Sequence, residues 1–283
     1  MIGISQNKWQ ARWSGRHLVL PGLLLVLAVQ AQAVLALDVF TLWRQPEIPL
    51  AITEGDWVIY RTQSLAGGRQ EVSITRIACL DLNSGSDEKT WLLELLPMVE
   101  DEGLLIPVPG EGVQLRLSRD LLDREGSFLA AIVESIQWRD GVARKISAAE
   151  LRADPLVAAT LASDFEPDHI EQKSATTRII QGTQFLCDQF VMSAADTQSA
   201  TLPAGEMIQI TTREIVAAVH PDIPFLGLAY VSERIRAESH LDPPSRRMRA
   251  PAPRVKVEVM ELVAFGHDAV SVLLGSEASE ASD

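Results

Sequence analysis

The stretch from Thr176 to Tyr230 constrains the fold more than any other part of the chain. It contains three runs, TTRIIQGTQFLCDQFVM, EMIQITTREIVAAV and HPDIPFLGLAY, and a polar turn is expected between the first two, at residues 193–205. Within the runs, apolar side chains alternate with polar ones or form short apolar blocks, which is typical of strands. The stretch therefore predicts consecutive antiparallel strands that end at a corner containing Pro224 and Gly227.

Strand-like runs also occupy the chain on either side of this stretch. DWVIYRTQ, RQEVSITRIACL and TWLLELLPMV predict a three-stranded meander, and VQLRLS adds a run with period two. Asp140 and Gly141 predict a type I′ hairpin, because both central residues of that turn need positive φ angles. GLAYVSERIRAES and RVKVEVMELVAF predict later strands, and AVSVLLG predicts a last one. Pro46 and Pro49 predict an extended lead-in over residues 38–55.

Helices are predicted at two places at most. Ser147 and Glu150 have the spacing of a capping box, which predicts a helix from there to about residue 162. Residues 118–134 can form a second helical face, although Gly126 interrupts it. We therefore expect a mainly β (α+β) fold, an antiparallel sheet with one or two helices on one face.

The domain organisation follows from the ends of the chain. Residues 37–275 are expected to form a single β-rich domain. The last residues, 276–283, contain only Ser, Glu, Ala and Asp, which predicts a disordered acidic tail.

The first 36 residues have the features of an export signal. Three basic residues and no acidic one precede an apolar run over residues 18–29, and small residues at 31–36 match cleavage patterns. Since the stretch 18–37 is also about 20 residues long, an uncleaved membrane anchor is the alternative. Both interpretations place everything after Asp38 outside the inner membrane, in the periplasm or beyond.

The charge of the chain excludes some classes of partner. A formal net charge of −13 repels nucleic acid and anionic lipid surfaces at long range, so membrane contact is expected only through an uncleaved N-terminus. A local exception is the Pro-rich loop 241–253, where Arg246, Arg247 and Arg249 concentrate positive charge. This loop can dock onto an acidic partner or lipid headgroups, or it can be a solvated loop.

The two cysteines, Cys79 and Cys187, allow two interpretations. In an oxidising compartment they can form a disulfide that closes a long loop and stabilises the fold. Both lie in strand-like runs, however, so they can equally be buried apolar thiols.

Residues with catalytic or metal-binding chemistry are sparse. The chain has no nucleophile elbow, zinc-protease motif, phosphate loop or EF-hand pattern, and we expect no enzyme activity, metal or cofactor. Asp164, Glu166, Asp168 and His169 can offer oxygens and one nitrogen to a cation, but we interpret them as a solvated loop at the end of the predicted helix.

Aromatic side chains provide the candidates for an apolar ligand site. Six residues in predicted strands, or at the Pro–Gly corner, can line a ligand cavity or can be ordinary core residues. They are Trp57, Trp91, Trp138, Phe185, Ile208 and Phe225.

Two motifs carry a resemblance to a family. Gly182-Thr183-Gln184-Phe185-Leu186-Cys187, followed by Pro224-Phe225-Leu226-Gly227-Leu228, resembles a pattern of uncharacterised bacterial envelope proteins, and Gly55-Asp56-Trp57-Val58-Ile59-Tyr60 resembles their opening strand. These proteins are similar to LolA-like half-barrel lipoprotein carriers. The resemblance implies a strongly curved antiparallel sheet, or half-barrel, that wraps around a helical plug and has a concave apolar face able to hold a lipid chain.

The expected function is that of an exported, non-enzymatic binding protein that holds an apolar or lipid-like ligand on the concave face of the sheet. The first alternative is a structural or interaction component of a cell-envelope assembly, with an envelope protein as its partner. The second is a hydrolase whose site has no familiar motif.

Overall fold

The computed structural model describes residues 40–80, 90–120, 128–153, 165–202, 205–242 and 251–273. These residues form one antiparallel sheet of twelve strands in the order β7-β6-β5-β3-β2-β1-β12-β11-β10-β9-β8, with β4 paired to β3 outside this path. The strands are β1 (Trp57–Ala66), β2 (Arg69–Leu80), β3 (Thr90–Asp101), β4 (Leu104–Pro107), β5 (Gly112–Ser118), β6 (Ile132–Arg139), β7 (Val142–Ile146), β8 (His169–Ile180), β9 (Thr183–Leu202), β10 (Gly205–Val219), β11 (Leu228–Asp242) and β12 (Arg254–Gly266).

Helix is scarce in the part of the chain that the structure describes. It comprises a 3-10 turn at Phe40–Arg44 and two short helices, α1 (Phe128–Ala131) and α2 (Ala148–Ala153). The mainly β fold is thus confirmed, whereas the expected packing of one or two helices against the sheet is not. Within the described ranges, no helix has the length and apolar character that crossing a lipid bilayer requires.

Several local predictions are confirmed. β1, β2 and β3 form the expected meander, and β6 and β7 form the hairpin whose turn residues Asp140 and Gly141 have φ angles of 50° and 77°. The capping box exists, because the Glu150 amide donates to Ser147 Oγ at 3.1 Å and the Ser147 amide donates to Glu150 Oε2 at 2.8 Å. The predicted continuation of this helix beyond Ala153 lies outside the described residues.

The expectation that residues 193–205 form a polar turn is wrong for most of this segment, which is strand. β9 continues through this segment to Leu202, and its polar half pairs with β10 residue by residue. The pairing satisfies the backbone while the polar side chains remain exposed, so it does not need an apolar face. The run before it is divided by a turn at Gln181 and Gly182, where φ is 49° and 79°, which separates β8 from β9.

The prediction of a last strand at AVSVLLG is also wrong. Residues 267–273, called the strap below, follow β12 without forming a strand, and the amides of Val272 and Leu273 donate to a side chain instead of to another strand. The lead-in, expected to be extended, begins with the 3-10 turn where it is described.

The two faces of the sheet carry separate cores. The inner face, defined by Tyr60, Ile77, Leu93 and Ile215, carries the largest cluster of buried residues. Four groups outside the strands belong to this cluster. They are Leu42, Trp43, Ile48 and Ile52 of the lead-in, Phe128 of α1, Phe165, and Ile223, Phe225 and Leu226 of the Pro–Gly corner. The outer face, defined by Ile59, Ile74, Leu96 and Trp138, carries a smaller core that includes Leu273 of the strap.

The sheet is curved at the end formed by β8 to β12. Two register shifts interrupt the ladders within this end, one between β10 and β11 and one between β8 and β9, and such bulges bend strands. The Phe185 ring of β9 lies 5.8 Å from the Phe265 ring of β12, although β10 and β11 separate these strands. In a flat sheet the two strands would be about 14 Å apart. The hairpin of β8 and β9 therefore bends towards β12.

Candidate functional site

The structure brings together three of the six predicted cavity residues. Trp91 and Phe225 are buried in the inner-face cluster, and Phe185 is partly buried against it. Trp138 and Trp57 belong to the core on the outer face. Ile208 lies in β10 opposite His240, and the described residues place it in none of the buried clusters.

The inner-face cluster is apolar, with polar contacts inside it and at its border. The Tyr60 hydroxyl donates to the Leu228 carbonyl at 3.2 Å, and burial raises the pKa of Tyr60, so this phenol stays neutral. Gln45 Nε2 donates to the Phe165 carbonyl at 3.0 Å, which joins the lead-in to the segment before β8. At its border, the Arg119 guanidinium lies 5.5 Å from the centre of the Trp91 ring. The cluster can hold apolar groups and provides no charge of its own.

Both cysteines lie in this cluster as free thiols. Burial raises the pKa of Cys79 to about 12, and it also raises the pKa of Cys187. Thiols in this state are protonated at neutral pH and react slowly. The two residues thus contribute apolar volume, and the structure contains no disulfide between them.

The outer face holds a buried carboxylate that sequence reasoning did not single out. Glu94 is fully buried and accepts hydrogen bonds from Gln114 Nε2 at 3.2 Å, from Ser271 Oγ at 2.8 Å, and from the amides of Val272 and Leu273 at 3.1 and 3.4 Å. Arg76 lies 3.6 Å from it. The sequence signal was a lone acid in the apolar run TWLLELLPMV.

Further contacts fasten the strap to the start of β1. Trp57 Nε1 donates to Asp268 Oδ1 at 2.7 Å, and the Ala269 amide donates to the Gly55 carbonyl at 2.7 Å. His267 Nδ1 and Asp56 Oδ1 are 2.6 Å apart. All of these groups are engaged in holding the strap, so this cluster stabilises the fold.

A polar groove of about 350 Å³ lies over β9, β10 and β11. Its lining is Asp168, Ser193, Ala194, Ala195, Thr212, Arg213, Glu214, Arg234 and Arg236. Asp168 closes one end, since its Oδ2 accepts a hydrogen bond from the Ala195 amide at 2.8 Å. Sequence reasoning had interpreted Asp168 as part of a solvated loop and had not connected it with the arginines of β11.

Other predicted residues lie elsewhere. Arg246, Arg247 and Arg249 are outside the described residues, as are the first 36 residues and the tail 276–283. The described ranges contain no group of three or more His, Cys, Asp and Glu side chains that could hold a metal ion.

Comparisons with known proteins leave the family open. No family model and no curated protein matches the sequence. Among solved structures, the chain is similar to the crystal structure of a DUF1329 family protein from Desulfovibrio piger, with 10% sequence identity and a TM-score of 0.29. The alignment covers 84% of this chain and 94% of that one. A likeness of this size assigns neither a family nor a function.

Proposed function

We propose that the protein is an exported, non-enzymatic binding protein that holds an apolar, lipid-like ligand against the inner face of the sheet. The observation that supports this most is how the inner-face cluster is covered. Among the described residues, short segments outside the strands contribute to it, in place of a second sheet. The resemblance to LolA-like half-barrel carriers supports the same arrangement.

The covering segments are attached to the rest of the molecule by polar contacts and by buried apolar side chains. The lead-in is joined to the Pro–Gly corner by two backbone hydrogen bonds between Ala51 and Phe225, of 2.7 and 2.8 Å, and to Phe165 through Gln45. Glu54 also pairs with Arg119 at 2.9 Å, and the Gly55 amide donates to the Cys79 carbonyl at 2.9 Å. The other part of its attachment is the burial of Leu42, Trp43, Ile48 and Ile52, which is apolar and not directional. An acyl chain can replace that contact with another of the same chemistry.

The free energy lost when a side chain of the lead-in leaves the sheet is comparable to the free energy gained when an acyl chain takes its place. Exposing one large aromatic side chain such as Trp43 costs about 4–6 kcal/mol, from 150–250 Å² of surface at about 25 cal/mol per Å². Burying an acyl chain of about 12 methylenes returns about 10 kcal/mol, at about 0.8 kcal/mol each. Exposing Leu42, Ile48 and Ile52 as well adds about 1.5–3 kcal/mol each, so a chain of about 12 methylenes can replace Trp43 on the sheet, whereas displacing the whole lead-in requires a longer chain.

The test is to purify the protein natively from the envelope fraction and to identify extracted compounds by mass spectrometry. We expect compounds with long acyl chains at close to one per protein. The delipidated protein should then gain thermal stability with fatty acids of 14 or more carbons, because a ligand that binds only the folded state stabilises it. If the extract contains no apolar compound and no chain length raises the melting temperature, the proposal is wrong.

A second candidate is an interaction component of an envelope assembly. The distal sheet, defined as residues 63–72, 195–202, 205–210, 234–242 and 254–259, lies outside the inner-face cluster. Apart from Leu241, its side chains of described burial are all exposed or half-buried. Leu65, Val72 and Val255 are 49%, 56% and 41% exposed. Replacing these three with Thr should abolish association with an envelope protein, and it should leave acyl-chain binding intact.

A further inference from the structure

The polar groove over β9 to β11 has an ordered arrangement of charges. The register places Ser193, Glu214 and Arg234 in one row across three strands, and Ala195, Thr212 and Arg236 in the next. Side chains in such a row lie on the same face of the sheet. Asp168 stands beyond β9, because it precedes His169, the residue that pairs with Ser193. Positive charge therefore lies on the β11 side, and negative charge lies on the β10 side and at the β8 end.

Three charged side chains of the groove, those of Asp168, Glu214 and Arg234, have no ion-pair partner among the described residues. Although Arg234 and Glu214 are opposite each other, neither forms an ion pair or side-chain hydrogen bond with another described residue. Asp168 uses Oδ2 for the Ala195 amide, and its Oδ1 has no described partner. Such charges in a concave surface favour a ligand that carries the opposite charges.

The other two arginines of the groove, Arg213 and Arg236, differ in whether they are free to contact a ligand. Arg213 forms an ion pair with Glu233, and its guanidinium lies 4.8 Å from the centre of the Phe165 ring, so it is already engaged. Arg236 forms an ion pair with Glu238, but the two side chains are 53% and 43% exposed. A surface pair of this kind contributes little stability. Arg236 can therefore turn towards a ligand beside Arg234.

We propose that this groove binds a small zwitterion, a phosphate group joined by a short linker to a primary ammonium group. The phosphate lies between the guanidinium groups of Arg234 and Arg236, which can donate several hydrogen bonds to its oxygens. The ammonium group faces Asp168 and Glu214. Thr212 supports it, since its hydroxyl donates to the Arg236 carbonyl and keeps lone pairs that can accept from an ammonium.

A purely anionic ligand fits the groove less well. The carboxylates of Asp168 and Glu214 would repel it, and Glu238 already pairs with Arg236. A quaternary ammonium group fits less well than a primary one, because it has no N–H to donate to the carboxylates. The volume of about 350 Å³ is within the range of small-molecule sites and exceeds what such a ligand needs.

The test is calorimetric titration of the full chain with phosphoethanolamine, phosphocholine, inorganic phosphate and ethanolamine. We expect phosphoethanolamine to bind at least about tenfold more tightly than the other three, since each lacks one set of hydrogen bonds. Arg234→Gln and Arg236→Gln should each reduce its affinity about tenfold or more. Asp168→Asn, which keeps an acceptor for the Ala195 amide, should remove the preference over phosphocholine.

The matched control is Arg254→Gln, which removes an exposed arginine at the start of β12, outside the groove, and should leave binding unchanged. A second arm distinguishes the sources of the zwitterion. Sedimentation with phosphatidylethanolamine vesicles, lost in Arg234→Gln, identifies a lipid headgroup, whereas binding of the soluble probe alone identifies a free metabolite. Equal affinity for phosphate and phosphoethanolamine, no binding of either, or an unchanged Arg234→Gln variant would overturn the proposal.

The groove and the inner-face site can be tested separately. The soluble probes have no acyl chain, so their binding does not depend on whether the inner face accepts a lipid. Conversely, the stability gained with fatty acids does not require Arg234.

Discussion

Replacing Glu94 with Gln should destabilise the protein more than any other single isosteric change in the outer core. If the new amide oxygen takes the position of Oε2, it keeps Ser271, Leu273 and Gln114 as donors. The new NH₂ group then faces the Val272 amide, which had donated to Oε1 at 3.1 Å, and two donors meet.

The magnitude follows from what is left without a partner. One buried backbone donor without an acceptor costs about 1–3 kcal/mol. Arg76, whose side chain is 11% exposed, also loses its carboxylate, and removing one member of a buried ion pair costs about 3–5 kcal/mol. The cost of the unpaired Val272 amide and the cost of the unpaired Arg76 guanidinium are not additive, because both groups faced the same carboxylate. We therefore expect a loss of about 4 kcal/mol in the free energy of unfolding. With a urea m-value of about 2–3 kcal/mol/M, the midpoint falls by about 1.5 M.

The control is Glu100→Gln, which breaks an exposed Arg–Glu ion pair in the same sheet. In this pair an Arg61 guanidinium nitrogen lies 2.8 Å from Glu100 Oε2, and the side chains of Arg61 and Glu100 are 36% and 53% exposed. This variant should lose less than about 1 kcal/mol. Hydrogen exchange should show that the amides of Val272 and Leu273 lose protection first in Glu94→Gln. If both variants lose the same small amount of stability, the strap does not depend on Glu94.

Two further predictions concern the inner-face core and the corner beside it. Gly227 has a φ of 66°, and a Cβ there would lie 2.5 Å from Pro49 Cγ, so Gly227→Ala should cost about 3–4 kcal/mol in urea unfolding. Gly67→Ala, with a φ of 57° and no atom within 4 Å of its Cβ, should cost only about 1–2 kcal/mol; equal losses would contradict the steric argument. Because Cys79 and Cys187 are buried free thiols with raised pKa values, iodoacetamide at pH 8 should label neither in the folded protein and both in urea without reductant. Labelling in urea that requires a reductant would show a disulfide.

The strands were predictable because their signals are local. Alternation of side chains and the turn residues Asp140 and Gly141 act over a few positions, and the same holds for the capping box of Ser147 and Glu150. The polar half of β9 was missed because its pairing with β10 is satisfied by backbone groups, which the side-chain pattern does not report.

The site was less predictable because it depends on register. Trp57 and Trp91 both lie in strands of the predicted meander, yet they belong to cores on opposite faces. Which face a side chain occupies changes with a shift of one residue, and bulges such as that between Ile59 and Tyr60 produce such shifts. The strap was missed because its amides bind Glu94, a residue more than 170 positions away in sequence.

The central claim is that an acyl chain lies against the inner face, and fluorescence quenching by a brominated fatty acid tests it most directly. Three variants would each keep one tryptophan, Trp43, Trp91 or Trp138, with Phe in place of the others. Trp43 and Trp91 belong to the inner-face cluster and Trp138 to the outer core, and each is at most 4% exposed. The account predicts saturable quenching of Trp91, which stays on the sheet beside the chain, weaker quenching of Trp43, which the chain displaces, and no quenching of Trp138. Equal quenching of all three, or quenching of Trp138 alone, would contradict it.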